Sequence, residues 1–187
     1  MRTCSAAWWR SDMRHKFFLA FVASAVLPLG SAVAQVGESG YSLPLALAVK
    51  AATKAIATCA SDGHPVSAVV VDPSGVIKLE AKGDHSTIHT TTSAFRKAYT
   101  IVTFGPIFRL DASSVFATLA AKNPNGAALA ALPDIALLPR GVAIKLGDEV
   151  VGALGVSGSP GGDKDEACAQ AGVPSIKDNL ASSRSMR

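Results

Sequence analysis

Cysteine and histidine are both scarce in this chain of 187 residues, which carries three Cys and four His. None of Cys4, Cys59 and Cys168 belongs to a CxxC pair, so any disulfide here would be structural rather than catalytic. Charge is thin as well, at 17% of residues, and no basic stripe gathers the cations that a phosphate backbone would need. Nucleic acid is therefore not an expected partner. No segment approaches the run of about 20 apolar residues that spans a bilayer, so stable membrane insertion is not expected either. The Gly-rich stretch "GVSGSPGGDKDEA" lacks the Lys-Ser/Thr ending of a P-loop and the setting of a dinucleotide fingerprint. "GVSGS" is not a nucleophile elbow, because Ser157 is followed directly by Gly158, and no histidine follows it in the chain. Nucleotide chemistry and serine hydrolysis lose their usual signatures. No catalytic residues are assigned.

What is present begins with a leader. "MRHKFFLAFVASAVLPLGSAVAQ" opens at Met13 with a short basic region, continues through an apolar run from Phe17 to Leu29, and ends in small residues at Ala32 and Ala34. This is the three-part pattern of a secretory signal peptide, with cleavage expected between Ala34 and Gln35, which points to a periplasmic or secreted protein. Residues 1–34 hold four of the 18 basic and one of the 14 acidic residues, so the chain from Gln35 has a net charge near +1. Residues 35–42 are a Gly-rich, polar lead-in; 43–180 are long enough for a single domain with its own core; "SSRSMR" lies in an expected mobile tail, 181–187.

Within the domain, "LPLALAVKAATKAIATCASDG" reads as a helix with Pro44 in its first turn and Leu45, Val49, Ala52, Ile56 and Cys59 as its apolar stripe. "PVSAVVVD", the turn "PSG" and "VIKLEAK" read as a β-hairpin. A helix is expected over Thr87–Thr103 and another over Phe108–Ala121, stopped by "NPNG". "GVAIKLGDEVVGALGVSG" reads as a second hairpin about a Gly-Asp turn, and a Gly-rich loop then enters a helix with acids in its first turn. The order helix, hairpin, helix, helix, hairpin, helix argues for an α/β (α+β) domain: an antiparallel sheet with helices packed on its faces, not a parallel doubly wound sheet. Cys59 and Cys168 sit in Ala-rich helical segments, where a disulfide and two buried thiols are both compatible with the pattern.

Two stretches carry candidate chemistry. In "HSTIHTTTSAFRKAYT", His85 and His89 stand four apart, a spacing that brings side chains together on one helical face. Ile88, Phe95, Ala98, Tyr99 and Val102 make the expected buried face, with His85, His89, Ser93, Arg96 and Thr100 on another. The polar face reads as the wall of a ligand site, as a solvated or subunit-contact surface, or, with His64, as a metal site short of the usual ligand number. In the second stretch, glycines at 155, 158, 161 and 162 permit backbone N–H groups to converge on an anion near a helix start, and a plain tight turn explains them too.

Taken in order, "AVVVDPSGVIKLEAKGD", "SAFRKAYTIVTF" and "GVAIKLGDEVVGALGVSGSPGGDKDEACAQAG" resemble the GlcG/HbpS-like haem-binding proteins, a family related to the C-terminal domain of PduO-type cobalamin adenosyltransferases. With the first helix the resemblance covers nearly all of residues 43–172. It implies a profilin-like domain that assembles into homo-oligomers, from dimers to octamers, and that handles haem, ahead of a corrinoid, as a small-molecule ligand. Exported members are associated with extracellular haem sensing or handling. Iron ligation varies in the family, so no axial residue is carried over. On chemistry alone, His85 and His89 are the candidate iron ligands, while Arg96 or Lys97 with Gly158, Gly161 and Gly162 are the candidate propionate partners in a groove between subunits. A small-carboxylate binder or enzyme, and an accessory oligomer without a small ligand, are the alternatives.

Overall fold

The computed structural model describes residues 39–137 and 141–184; the leader expected over residues 1–34 lies outside them. The elements are α1 (Leu45–Ser61), β1 (Ser67–Val71), β2 (Ile77–Lys82), α2 (Thr90–Phe108), α3 (Ser113–Lys122), α4 (Gly126–Ala130), β3 (Gly141–Leu146), β4 (Glu149–Ser157), α5 (Gly162–Gly172), a 3₁₀ turn (Pro174–Ile176) and α6 (Lys177–Arg184). The expected order of helices and hairpins is present, and the residues expected to open the tail are helical as far as Arg184.

The four strands form one antiparallel sheet in the order β2-β1-β4-β3. Every residue of β1 is buried because the strand is covered on both faces. Ala68 and Val70 join a core with α1 and α5, including Ala52, Ala55, Val151, Leu154 and Ala169. Val69 and Val71 point the other way, into a core with Ala94, Ala98, Ile101 and Ala153 under α2. The period of two along one strand thus divides the core into two layers, giving an α+β fold with helices on both sheet faces. A third cluster closes the far end of α2, where Phe104 and Phe116 stack with centroids 4.5 Å apart.

Two helices differ from expectation, one in its buried face and one in its bounds. The buried face of α1 is Ala48, Ala51, Ala52, Ala55 and Cys59, whereas Leu45 and Val49 are exposed. Short side chains let α1 and α5 approach closely, so the alanines, rather than the larger residues, make the contact. On α2, close packing against the sheet depends on Gly155 of β4: a Cβ there would collide with the carbonyl of Ala94. The helix begins at Thr90 and continues past the expected Thr103 to Phe108, through Pro106. The sequence left the state of the two cysteines open; Cys59 and Cys168 form a disulfide, Cα–Cα 5.6 Å, joining the end of α1 to α5.

Candidate functional site at one end of the sheet

Strand register brings the two candidate stretches together. Ser67, the first residue of β1, pairs with Lys82 on one side and Ser157 on the other. The segment after β2 (83–89) and the loop after β4 (158–161) therefore leave the same end of the sheet, flanking the start of β1. His64, next to that start, lies at this end with His85 and His89.

The histidine-bearing segment is a turn, not the first turn of a helix. Gly83 N–H donates to the carbonyl of Val66 (3.0 Å), and the hydroxyl of Ser86 donates back to the carbonyl of Gly83 (2.8 Å). Ser67 Oγ lies 3.1 Å from Ser86 Oγ and 2.7 Å from Thr90 Oγ1, and all three hydroxyls are buried. Thr90 Oγ1–H also donates to the carbonyl of Thr87 (2.8 Å). These local side-chain bonds compete with helical bonding and hold the segment against β1 until Thr90. His85 takes a left-handed backbone (φ 62°) and His89 is the helix N-cap residue. The expected shared helical face is thereby corrected: both imidazoles are exposed, but on a turn. Ile88, expected in the core, is instead 89% exposed between them. Thr100, expected on the polar face, is buried; its hydroxyl donates to the carbonyl of Arg96 (2.7 Å) and accepts the amide of Ala136 (2.9 Å).

The Gly-rich loop is organised differently. Gly158 has φ 143°, and a Cβ there would strike the carbonyl of Pro65, so glycine is required on both counts. The Asp165 carboxylate accepts the amides of Gly158 (3.3 Å) and Ser159 (2.8 Å). Lys97 reaches the same carboxylate at 3.2 Å and donates to the carbonyl of Val156 at 2.9 Å. Both members of this ion pair are buried. One N–H group expected to seat a ligand's carboxylate, that of Gly158, thus holds the chain's own, with the amide of Ser159 beside it. Lys97, expected beside a propionate, is enclosed by the fold because its stem crosses from α2 to the end of β4. Gly161 precedes α5 with φ 107° and Gly162 is its first residue. Arg96 stays exposed; its Nε is 3.8 Å from Asp134 Oδ1 across an equally exposed pair, a contact worth at most about 1 kcal/mol. Two helical turns separate it from His89, about 10 Å along the axis.

Sequence reasoning missed Asp165 as an organiser, having read it only as an acid near a helix start. Its signal was a carboxylate just downstream of a Gly-Ser-Pro-Gly-Gly run. The hydroxyl group of Ser67, Ser86 and Thr90 left no local signal, since only strand pairing unites it. Among the described residues no group of three or more His, Cys, Asp or Glu could hold a metal ion. The chemistry of this end suits haem in part. Exposed imidazoles are good axial ligands, Ile88 offers apolar contact and Arg96 a cation, yet a porphyrin resting on a single chain here would leave much of its apolar surface in water.

Residues 43–174 match the HbpS-like family, described as haem degrading proteins. The crystal structure of HbpS is similar, with 32% identity, a TM-score of 0.66, and coverage of 73% of this chain and 91% of that one. An HbpS double mutant from Streptomyces reticuli gives 31% identity, a TM-score of 0.66 and coverage of 82% and 97%. A PduOC–haem complex shares the fold at 18% identity, with a TM-score of 0.64 and coverage of 73% and 96%. No curated protein matches significantly.

Proposed function

The chain belongs to the HbpS-like family, and from that premise we propose that it is an exported haem-handling protein whose histidine-bearing turn supplies the iron ligand. The observation that carries this reading is the presentation of His85, Ile88 and His89 to solvent by a turn anchored through the buried hydroxyls of Ser67, Ser86 and Thr90. A ligand-free surface gains nothing from an almost fully exposed isoleucine, whose burial would be worth about 1.5–3 kcal/mol. A porphyrin would cover it. Bound haem supplies a redox-active iron; the chain supplies imidazole from His85 or His89 and a cation from Arg96. Lys97 and the amides of Gly158 and Ser159 act behind this surface, as its support.

A ligand lying on the surface of one chain argues for a second subunit to cover it, so the working state is a homo-oligomer, between dimer and octamer, with haem in a groove at the interface. Export rests on the leader pattern of residues 1–34; among the described residues no helix is long and apolar enough to cross a membrane. The small-carboxylate reading is the weaker one, because Asp165 occupies two of the loop amides.

Absorbance titration of the purified protein with haemin tests the proposal. A saturable complex with a shifted Soret band is expected, with affinity reduced about tenfold or more by His85→Ala or His89→Ala, the axial ligand being the one whose loss changes the band position. No saturable complex with the folded protein would end the haem reading.

A further inference from the structure

The Gly-rich end of the domain is tied down by one buried carboxylate and one covalent bond, and both originate on α5. Asp165 and Cys168 lie about one helical turn apart, and both are buried. Asp165 holds the amides of Gly158 and Ser159 and the ammonium of Lys97. Cys168 is bonded to Cys59, whose Sγ lies 3.6 Å from the hydroxyl of Ser159. The disulfide therefore touches the loop that the carboxylate holds. The last turn of α1 then leads to His64, whose amide donates to the carbonyl of Cys59 (2.9 Å), and to Pro65, whose carbonyl crowds Gly158. The loop is backed by Cys59 and its neighbours on one side and by α5 on the other.

We infer that the Cys59–Cys168 pair is an oxidative latch, so that disulfide formation, rather than folding of the sheet, completes the Gly-rich end. Without the bond, the N-terminal half of α5 keeps the Asp165 contacts with Lys97, Gly158 and Ser159 and the hydrogen bond from Ser114 to Glu166 (3.0 Å). The desolvation of the buried Lys97–Asp165 pair offsets much of its attraction. The bond closes a sequence separation of 109 residues, so it also removes freedom from the unfolded chain. The hydroxyl network of the histidine turn and the β1–β2 hairpin share no residue with the latch, so oxidation orders one half of the candidate site and leaves the other as it was. In closing, the two thiols transfer two electrons and two protons to a disulfide oxidant such as oxidised glutathione, through a mixed disulfide. Once closed, Cys59 and Cys168 are 0% and 2% exposed, which shields them from thiolate attack. The latch is set once, during maturation.

Amide hydrogen exchange on the oxidised protein and on protein folded under dithiothreitol tests this. Amides of residues 157–165 should exchange about tenfold faster in the reduced form, while those of 67–82 and 86–90 keep their oxidised rates, and oxidised glutathione should restore the difference. Unchanged protection at 157–165, or equal loosening throughout the domain, would overturn the latch. A Cys59→Ala/Cys168→Ala variant should reproduce the reduced pattern; if it does not fold, the reduced native chain carries the comparison alone. Latch and haem reading fail separately, since a latch without any Soret complex leaves the exchange result standing. The functional consequence does rest on the haem reading: haemin should bind the oxidised form more tightly, and equal affinity would confine the latch to loop order.

Discussion

Two segments leave the same end of the sheet and handle their polar groups in opposite ways. The Gly-rich loop turns inward: two of its amides meet Asp165, which meets Lys97, and the group is closed to solvent. The histidine turn uses its small hydroxyls for anchoring, through Ser67, Ser86 and Thr90, and leaves His85, Ile88 and His89 outside. Adjacent loops on one scaffold can thus divide the work. One supports, and the other presents. Gly158, which looked like part of a ligand seat, serves an internal anion, and histidines that looked helical are displayed by a turn.

The sharpest way to break this contrast is to remove the internal anion. Asp165→Ala leaves the Lys97 ammonium buried without its carboxylate and should destabilise the protein by about 3–5 kcal/mol, measured by urea unfolding. Adding Lys97→Met should recover much of that loss, and the histidine turn should keep its amide protection in the double variant. If both segments loosen together, they are one cooperative unit and the division of labour fails. A smaller effect is expected at the other anchor. Ser67→Ala leaves two buried hydroxyls short of a partner and should cost about 1–3 kcal/mol, with faster exchange at residues 86–90 and unchanged exchange at 158–159. The smallest effect belongs to Arg96→Ala, which should change stability by less than about 0.5 kcal/mol because the cation is exposed and its ion pair is long. Its effect should instead appear in haemin affinity. A large stability loss there would show that Arg96 acts in the fold rather than on a ligand.

The hairpins and the number of long helices were legible because turn residues and β-branched runs act locally: "PSG" and Gly147-Asp148 stop one strand and start the next whatever surrounds them. Faces were less legible. Leu45 and Val49 fit a helical stripe as well as the alanines do, and only the close approach of α5 selects the alanines. Ile88 belonged to a buried face only if a helix passed through it, and the bonds from Ser86 to Gly83 and Ser67 prevent that.

By itself the sequence determined that this chain is an α+β domain with antiparallel hairpins, that its cations are too dispersed to read nucleic acid, and which family it resembles. Those properties follow from composition, local propensity and ordered motifs, which act over a few residues at a time. Only the tertiary structure decided that Cys59 meets Cys168, that Lys97 is enclosed with Asp165, and that the histidine turn and the Gly-rich loop share one end of the sheet. Each of these joins residues far apart in the chain. Which distant groups meet depends on strand register and on how closely two backbones can approach, and no local pattern encodes either.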